Sequence, residues 1–302
     1  QFDARLGIEN ACSKCHPGKS VAWLQAKVDH WYGRVKPHKP IVKALFDAAP
    51  GQSRQQAAGA LLQPRSHFPM AQAAALVYFI KTYLQPNMED LQQATVQKLE
   101  TLAAEADPDV QALALMALHL ARGQDPAVHE FLKQQLQTLG HREMAIRARW
   151  AVAADYMGTV YASQQKYAQA ILGHKKALEI RPNDAVAWVN LGNAYGNRGQ
   201  LKLAIAAFQR AAGVNPQYAM AWNNMGVAYM RLGEVAEAIG AYNQAIEVNP
   251  NLAEPYILMA QAYLQTGQAP MAIETLRLAQ RHVPENETIR LLLQELKARA
   301  QQ

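Results

Sequence analysis

The sequence predicts an all-α protein: a solenoid of paired helices in its C-terminal half, preceded by less regular helices and a short N-terminal segment. Three observations carry this. Pro182, Pro216, Pro250 and Pro284 recur at a spacing of 34 residues. Small and aromatic residues recur in phase with them, and a period of that length marks a stacked repeat. No stretch alternates apolar and polar residues between turn signals, so no strand is expected.

The composition bounds the function. The chain has 302 residues, half of them hydrophobic and 18% charged, so it is too apolar to be disordered. Thirty Lys+Arg against 24 Asp+Glu gives +6 with no basic block, which does not point to nucleic acid. The longest apolar runs, Ala71–Ile80 and Ala112–Leu118, fall far short of the ~20 residues that span a bilayer, so no transmembrane segment is expected. The chain starts at Gln1 without methionine, and a processed or partial chain is expected. No nucleophile elbow, P-loop, dinucleotide fingerprint or His-Glu-x-x-His motif occurs, and no enzymatic activity is expected.

Both cysteines lie in Cys12-Ser13-Lys14-Cys15-His16, within the segment 1–50. Cys-x-x-Cys-His is the attachment pattern of c-type haem. Two thiols at this spacing can form thioethers to one porphyrin, and the adjacent imidazole can bind the iron. Three other readings compete. A thioredoxin-like site needs a βαβ context, which is missing. A zinc site needs two further ligands. A disulfide over so short a loop stabilises little.

Residues 51–150 read as irregular helices. Phe68-Pro69 opens one apolar run, and Asp107-Pro108-Asp109-Val110 opens another, 39 residues later. An Asp-Pro-x-Val start before an Ala/Leu-rich helix resembles HEAT-type repeats; an irregular helical linker is the alternative.

From residue 151 to 286 the phase is strict. Ala154, Trp188, Trp222 and Tyr256 share one position, and Gly158, Gly192, Gly226 and Ala260 another. So do Tyr161, Tyr195, Tyr229 and Tyr263, and two alanine series follow at Ala170 and Ala177. This stretch resembles the tetratricopeptide repeat family in four units, 151–184, 185–218, 219–252 and 253–286. The small residues allow close helix approach and the aromatics fill the gaps. Gly199, Gly233 and Gly267 suit helix C-caps, and each proline ends a second helix. The first unit departs from the pattern with Gln165 and His174. Residues 287–302 read as an amphipathic capping helix, with Ile289, Leu292, Leu293 and Leu296 on one face.

The flanks of the cysteine motif are Asn10-Ala11, Lys19-Ser20, Trp23, Trp31-Tyr32-Gly33 and Lys36-Pro37-His38. With the repeats behind them, they resemble the last haem segment of extracytoplasmic multihaem cytochromes that carry HEAT-like and tetratricopeptide repeats. Members of that family usually hold several haem motifs upstream, whereas only eleven residues precede Cys12. A C-terminal piece of a longer cytochrome, or a chain docked on other haem-bearing chains, is therefore expected. The resemblance implies one haem c on Cys12 and Cys15, with His16 as proximal iron ligand. It implies His38 as the second ligand, with His30 and His67 as alternatives. Met70, or a ligand from upstream sequence or a partner chain, remains open. The other histidines, among them His119 and His174, are expected to be structural or solvated.

The first helix of each unit lines the inner face of such a solenoid. Asn190, Asn193, Asn197, Asn223, Asn224 and Arg231 are the candidate groove residues, able to bond an extended peptide or a neighbouring subunit; solvated amides are the plain alternative. The fourth unit offers Glu254, Gln261 and Gln265 instead.

The function expected from all this is electron transfer by a c-type cytochrome, with the repeats as a docking scaffold and redox proteins or haem-bearing chains as partners. A protein-interaction scaffold with a structural haem, or a haem-based sensor, is the alternative. Covalent haem attachment implies the bacterial periplasm or cell surface.

Overall fold

The computed structural model describes residues 44, 52–64 and 69–299. The motif at Cys12, Cys15 and His16, and the candidate ligands His30, His38 and His67, lie outside these residues. No strand occurs among the described residues.

The middle region holds α1 (Arg54–Leu61), α2 (Pro69–Tyr83), α3 (Gln93–Ala103), α4 (Pro108–Arg122) and α5 (Pro126–Thr138). Local chemistry fixes their starts. Ser53 and Gln56 form a capping box on α1. Asp107 and Asp125 cap α4 and α5 through side-chain oxygens, each followed by proline at the first helical position. The apolar run in α4 is explained by its place. Val110, Leu115 and Leu118 are wholly buried, and α2, α3, α5 and α6 (Glu143–Ser163) all pack on this helix. A helix that is apolar all round needs neighbours all round.

The solenoid then runs through α6, α7 (Tyr167–Ile180), α8 (Ala185–Asn197), α9 (Leu201–Val214), α10 (Ala219–Leu232), α11 (Val235–Val248), α12 (Ala253–Gln265), α13 (Ala269–His282) and α14 (Glu287–Arg299). Each helix packs on the next, and the first helices also touch across units, α8 on α10 and α10 on α12. The boundary expected at 150/151 falls inside α6, a single helix of 21 residues. The reason is burial: Ile146 and Trp150 sit in the same core as Ala154 and Met157, so nothing breaks the helix.

Within a unit, glycine meets a ring. A methyl group on Gly192 would strike Phe208, one on Gly226 would strike Tyr242, and one on Gly158 would strike His174. His174 thus fills the aromatic position of the first unit and is 1% exposed. Between units, the aromatic of each new first helix reaches back. Trp188 Nε1 donates to the Pro182 carbonyl at 2.8 Å, Trp222 Nε1 to Pro216 at 3.1 Å, and Tyr256 Oη to Pro250 at 3.1 Å. Each second helix stops two residues before its proline, with the preceding residue out of the helical region; Asn215 has φ −137° and ψ 92° and Asn249 φ −141° and ψ 90°, both extended.

The turns inside the units share one geometry. Gln200 N donates to the Tyr195 carbonyl, Glu234 N to Tyr229 and Gln268 N to Tyr263, each across a left-handed glycine. In the first unit Lys166 N donates to Tyr161 in the same way, but the left-handed residue is Gln165, with φ 59°. A side chain costs roughly 1–2 kcal/mol in that region. Gln165→Gly is expected to stabilise the protein by about 0.5–1 kcal/mol, since glycine's looser unfolded chain offsets part of the relief. The reverse change, Gly199→Ala, is expected to lose about as much. Urea unfolding of both variants checks this pair.

Candidate functional site

Helix spacing brings the candidate amides to one face. Positions 186, 190, 193 and 197 of α8 are separated by four, three and four residues, which aligns them along the helix. A cleft of about 320 Å³ opens between α8 and α10. It is lined by Asn193, Asn197, Asn224, Arg231 and Glu254, with Gly192, Gly196 and Phe208 behind them. Four of the six predicted groove residues therefore meet here.

The other two do not. Asn223 is 1% exposed; its Nδ2 donates to Asn224 Oδ1 at 3.3 Å and its own Oδ1 is buried without a partner. It packs between helices because its position falls one residue off the open face, where the second unit has the buried Val189. Asn190 is committed to its neighbour, donating from Nδ2 to Asp155 Oδ2 at 2.8 Å. The other Asp155 oxygen meets His174 Nδ1 at 2.6 Å. The candidate groove amides are thus partly spent on cross-links between units. Asn224 Nδ2 likewise donates to Asn193 Oδ1 at 2.9 Å.

What remains for a ligand is specific. Asn193 keeps its amide donors, Asn197 keeps its whole side chain, and Arg231 makes no ion pair among the described residues. Val152, Val186 and Met220, 60%, 51% and 37% exposed, take one position in three successive units, four residues before Tyr156, Asn190 and Asn224. Glu254 takes the same position in the fourth unit and lines the cleft. Sequence reading passed over these three, although their 34-residue phase was the available signal. Gln261 and Gln265 are exposed and do not line the cleft.

A second polar cluster joins the middle region to the first repeat. His119 of α4 meets Glu179 Oε2 of α7 through Nε2 at 2.8 Å, and the buried Lys176 donates to the same oxygen at 3.0 Å. The Trp150 ring stands edge-on to His119 at 5.3 Å. Burial pushes the His119 pKa down, against the pull of Glu179, so the ring is neutral and donates its Nε2 proton. The hydrogen bond from His119 holds the Glu179 pKa down at about 2. Tyr161, whose burial pushes its pKa up to about 12, donates to the Leu84 carbonyl at 3.1 Å and makes a further tie to the middle region. His282 stacks on Tyr256. His129 and His141 are exposed. No group of three or more metal-ligating side chains occurs among the described residues, and no helix there is long and apolar enough to cross a membrane.

Comparison with known proteins gives the class. Tetratricopeptide-repeat family profiles match residues 158–199, 189–253 and 229–296. The repeat region is an all-helical solenoid of tetratricopeptide-like helices. Solved structures similar to it include MamA, at 25% identity and TM-score 0.42 over 52% of this chain and 94% of that one. MamA 41-end from Desulfovibrio magneticus RS-1 is similar at 18% identity and TM-score 0.42, over 51% and 94%. The first such domain of human RPAP3 is similar at 25% identity and TM-score 0.38, over 39% and 92%. The comparison with curated proteins gave no match.

The cluster at His119 sets a pH dependence. Both folded pKa values lie below the ordinary ones, so the unfolded chain binds more protons and stability falls as pH falls. The contribution of His119 is complete above pH 6.5 and is lost as pH drops below it; that of Glu179 is complete above pH 4.5 and is lost towards pH 2. Urea midpoints are expected to fall on acidification from pH 7.5 to 5.5, and His119→Gln to flatten that slope.

Proposed function

We propose that this chain is a protein-interaction scaffold whose groove between first helices takes an extended peptide, and that its N-terminal segment carries one haem c. The observation behind the scaffold reading is the cleft at Asn193, Asn197, Asn224 and Arg231. Amides can donate to and accept from a peptide backbone, and an unpaired guanidinium suits a carboxylate. Each neutral bond contributes ~1 kcal/mol net, so a useful ligand spans several units.

The haem reading is supported by the donor set of the sequence. Cys12 and Cys15 would hold the porphyrin, and His16 would ligate its iron. His38 is the proposed second ligand, ahead of His30 and His67. The group would supply reversible one-electron exchange. With it, the second reading is an electron-transfer cytochrome whose repeats dock redox proteins or haem-bearing chains. That reading places the chain outside the cytoplasm, where covalent haem attachment takes place.

Two experiments test these. Peptides selected from a random phage library on the full chain are expected to bind about tenfold more weakly to Arg231→Ala and about fivefold more weakly to Asn197→Ala, by fluorescence anisotropy. Binders indifferent to both changes would remove the groove from the proposal. For the haem, the purified native chain is expected to give a pyridine haemochrome spectrum, and its absence ends that reading. A low-spin spectrum unchanged by carbon monoxide supports electron transfer, whereas a high-spin iron that binds it supports a sensor. His38→Ala is expected to turn the iron high-spin; if only His30→Ala does so, His30 is the ligand.

A further inference from the structure

The outer layer of the solenoid, made of second helices, holds a hollow of about 500 Å³ between α7 and α9, floored by α8. Its floor is Trp188, Leu191 and Tyr195, and its wall includes Leu203. Leu203 is 48% exposed although it lies beside other apolar groups. Trp188 spends its only donor on Pro182, so it shows the hollow an apolar face. Lys175 and Arg210 stand at the rim, both exposed. Lys175 Nζ lies 5.8 Å from the Tyr195 ring centre, and neither cation has a carboxylate partner among the described residues. The one acid at the rim, Glu179, is already held by His119 and Lys176.

The repeats provide an internal control. One unit further on, the positions of Lys175, Leu203 and Arg210 are occupied by Gln209, Glu237 and Gln244. The floor aromatics recur there as Trp222 and Tyr229, as packing of the units requires. Two units on, an exposed apolar side chain returns at the Leu203 position as Met271, 47% exposed, while Asn243 and Leu278 stand in the places of Lys175 and Arg210. So the scaffold repeats, but the pair of cations beside an exposed leucine belongs to this junction, and packing of neighbouring units does not account for it. A large apolar side chain seated on Leu203 and Trp188 would bury surface that water now covers, and an adjacent carboxylate would meet Lys175 or Arg210.

We infer that this hollow is a second docking site, which takes a segment of a partner protein carrying a bulky apolar side chain next to Asp or Glu. It lies on the second-helix layer, so one chain can hold this partner and a groove peptide together. The site is an open shelf between helices.

The test pans a random-peptide phage library on the full chain and removes sequences that also bind Leu203→Glu. The survivors are expected to pair an aromatic or aliphatic residue with an acid. Their affinity is expected to fall about tenfold on Arg210→Glu or Lys175→Glu, roughly the loss of one charged bond, and to stay within twofold on Arg231→Ala and Asn197→Ala. All five sites are exposed, and unchanged thermal unfolding of each variant verifies the fold. Absence of survivors, survivors without acids, or survivors lost with Arg231→Ala would overturn the assignment. Displacement of the survivors by sodium oleate at lower concentration than by free peptide would also overturn it, in favour of an anionic lipid. Groove binders behave independently in this scheme, so failure of one site leaves the other readable.

Discussion

A flat ring lies against a bare glycine Cα in three of the four helix pairs, and this contact sets how closely the two helices of a unit approach. Gly158 meets His174, Gly192 meets Phe208 and Gly226 meets Tyr242. Protein interiors are close-packed, so a single added methyl at these points would push the pair apart. The groove depends on that spacing, because Gly192 and Phe208 form the back of the cleft that Asn193 and Arg231 border. The outer hollow depends on it too, since α7 and α9 flank α8 only at the separation this packing allows. Two opposed surfaces are therefore set by one kind of contact.

The repeat phase made much of this readable from the sequence. A 34-residue recurrence of Gly, Tyr, Ala and Pro leaves few ways to stack helices, and the structure follows it through the caps and the prolines. The sequence was silent where a side chain chooses between water and a neighbour. Asn190 and Asn224 look alike in the alignment of units, yet the first is tied to Asp155 and the second to Asn193. Asn223 looks like its neighbour but is turned inward. These outcomes hang on tertiary partners that no periodicity encodes. The expected boundary at residue 151 falls within α6 for a related reason: a family pattern ends where its shared positions end, whereas a helix ends where its capping and burial end.

His174 shows how the first unit adapts. Where later units place a phenyl or phenol ring, it places an imidazole that must find a polar partner when buried. Asp155 supplies it, and Asp155 in turn holds Asn190 of the next unit. An atypical terminal residue thereby becomes the start of a polar chain along the groove. At its other end the unit is tied to the middle region through Glu179, His119 and Trp150. The first repeat is thus a coupling, with charged ties on one side and amide ties on the other.

The length of α6 carries this further. One unbroken helix supplies Ile146 and Trp150 to the middle region and Ala154, Met157 and Tyr161 to the repeats. Solenoid units often open one at a time from an end, because each touches only its neighbours. Here the N-terminal end of the array has no free edge from which to fray. Amide-exchange protection in α6 should therefore track that of α4, so the first repeat and the middle region open as one cooperative block while the C-terminal units open separately.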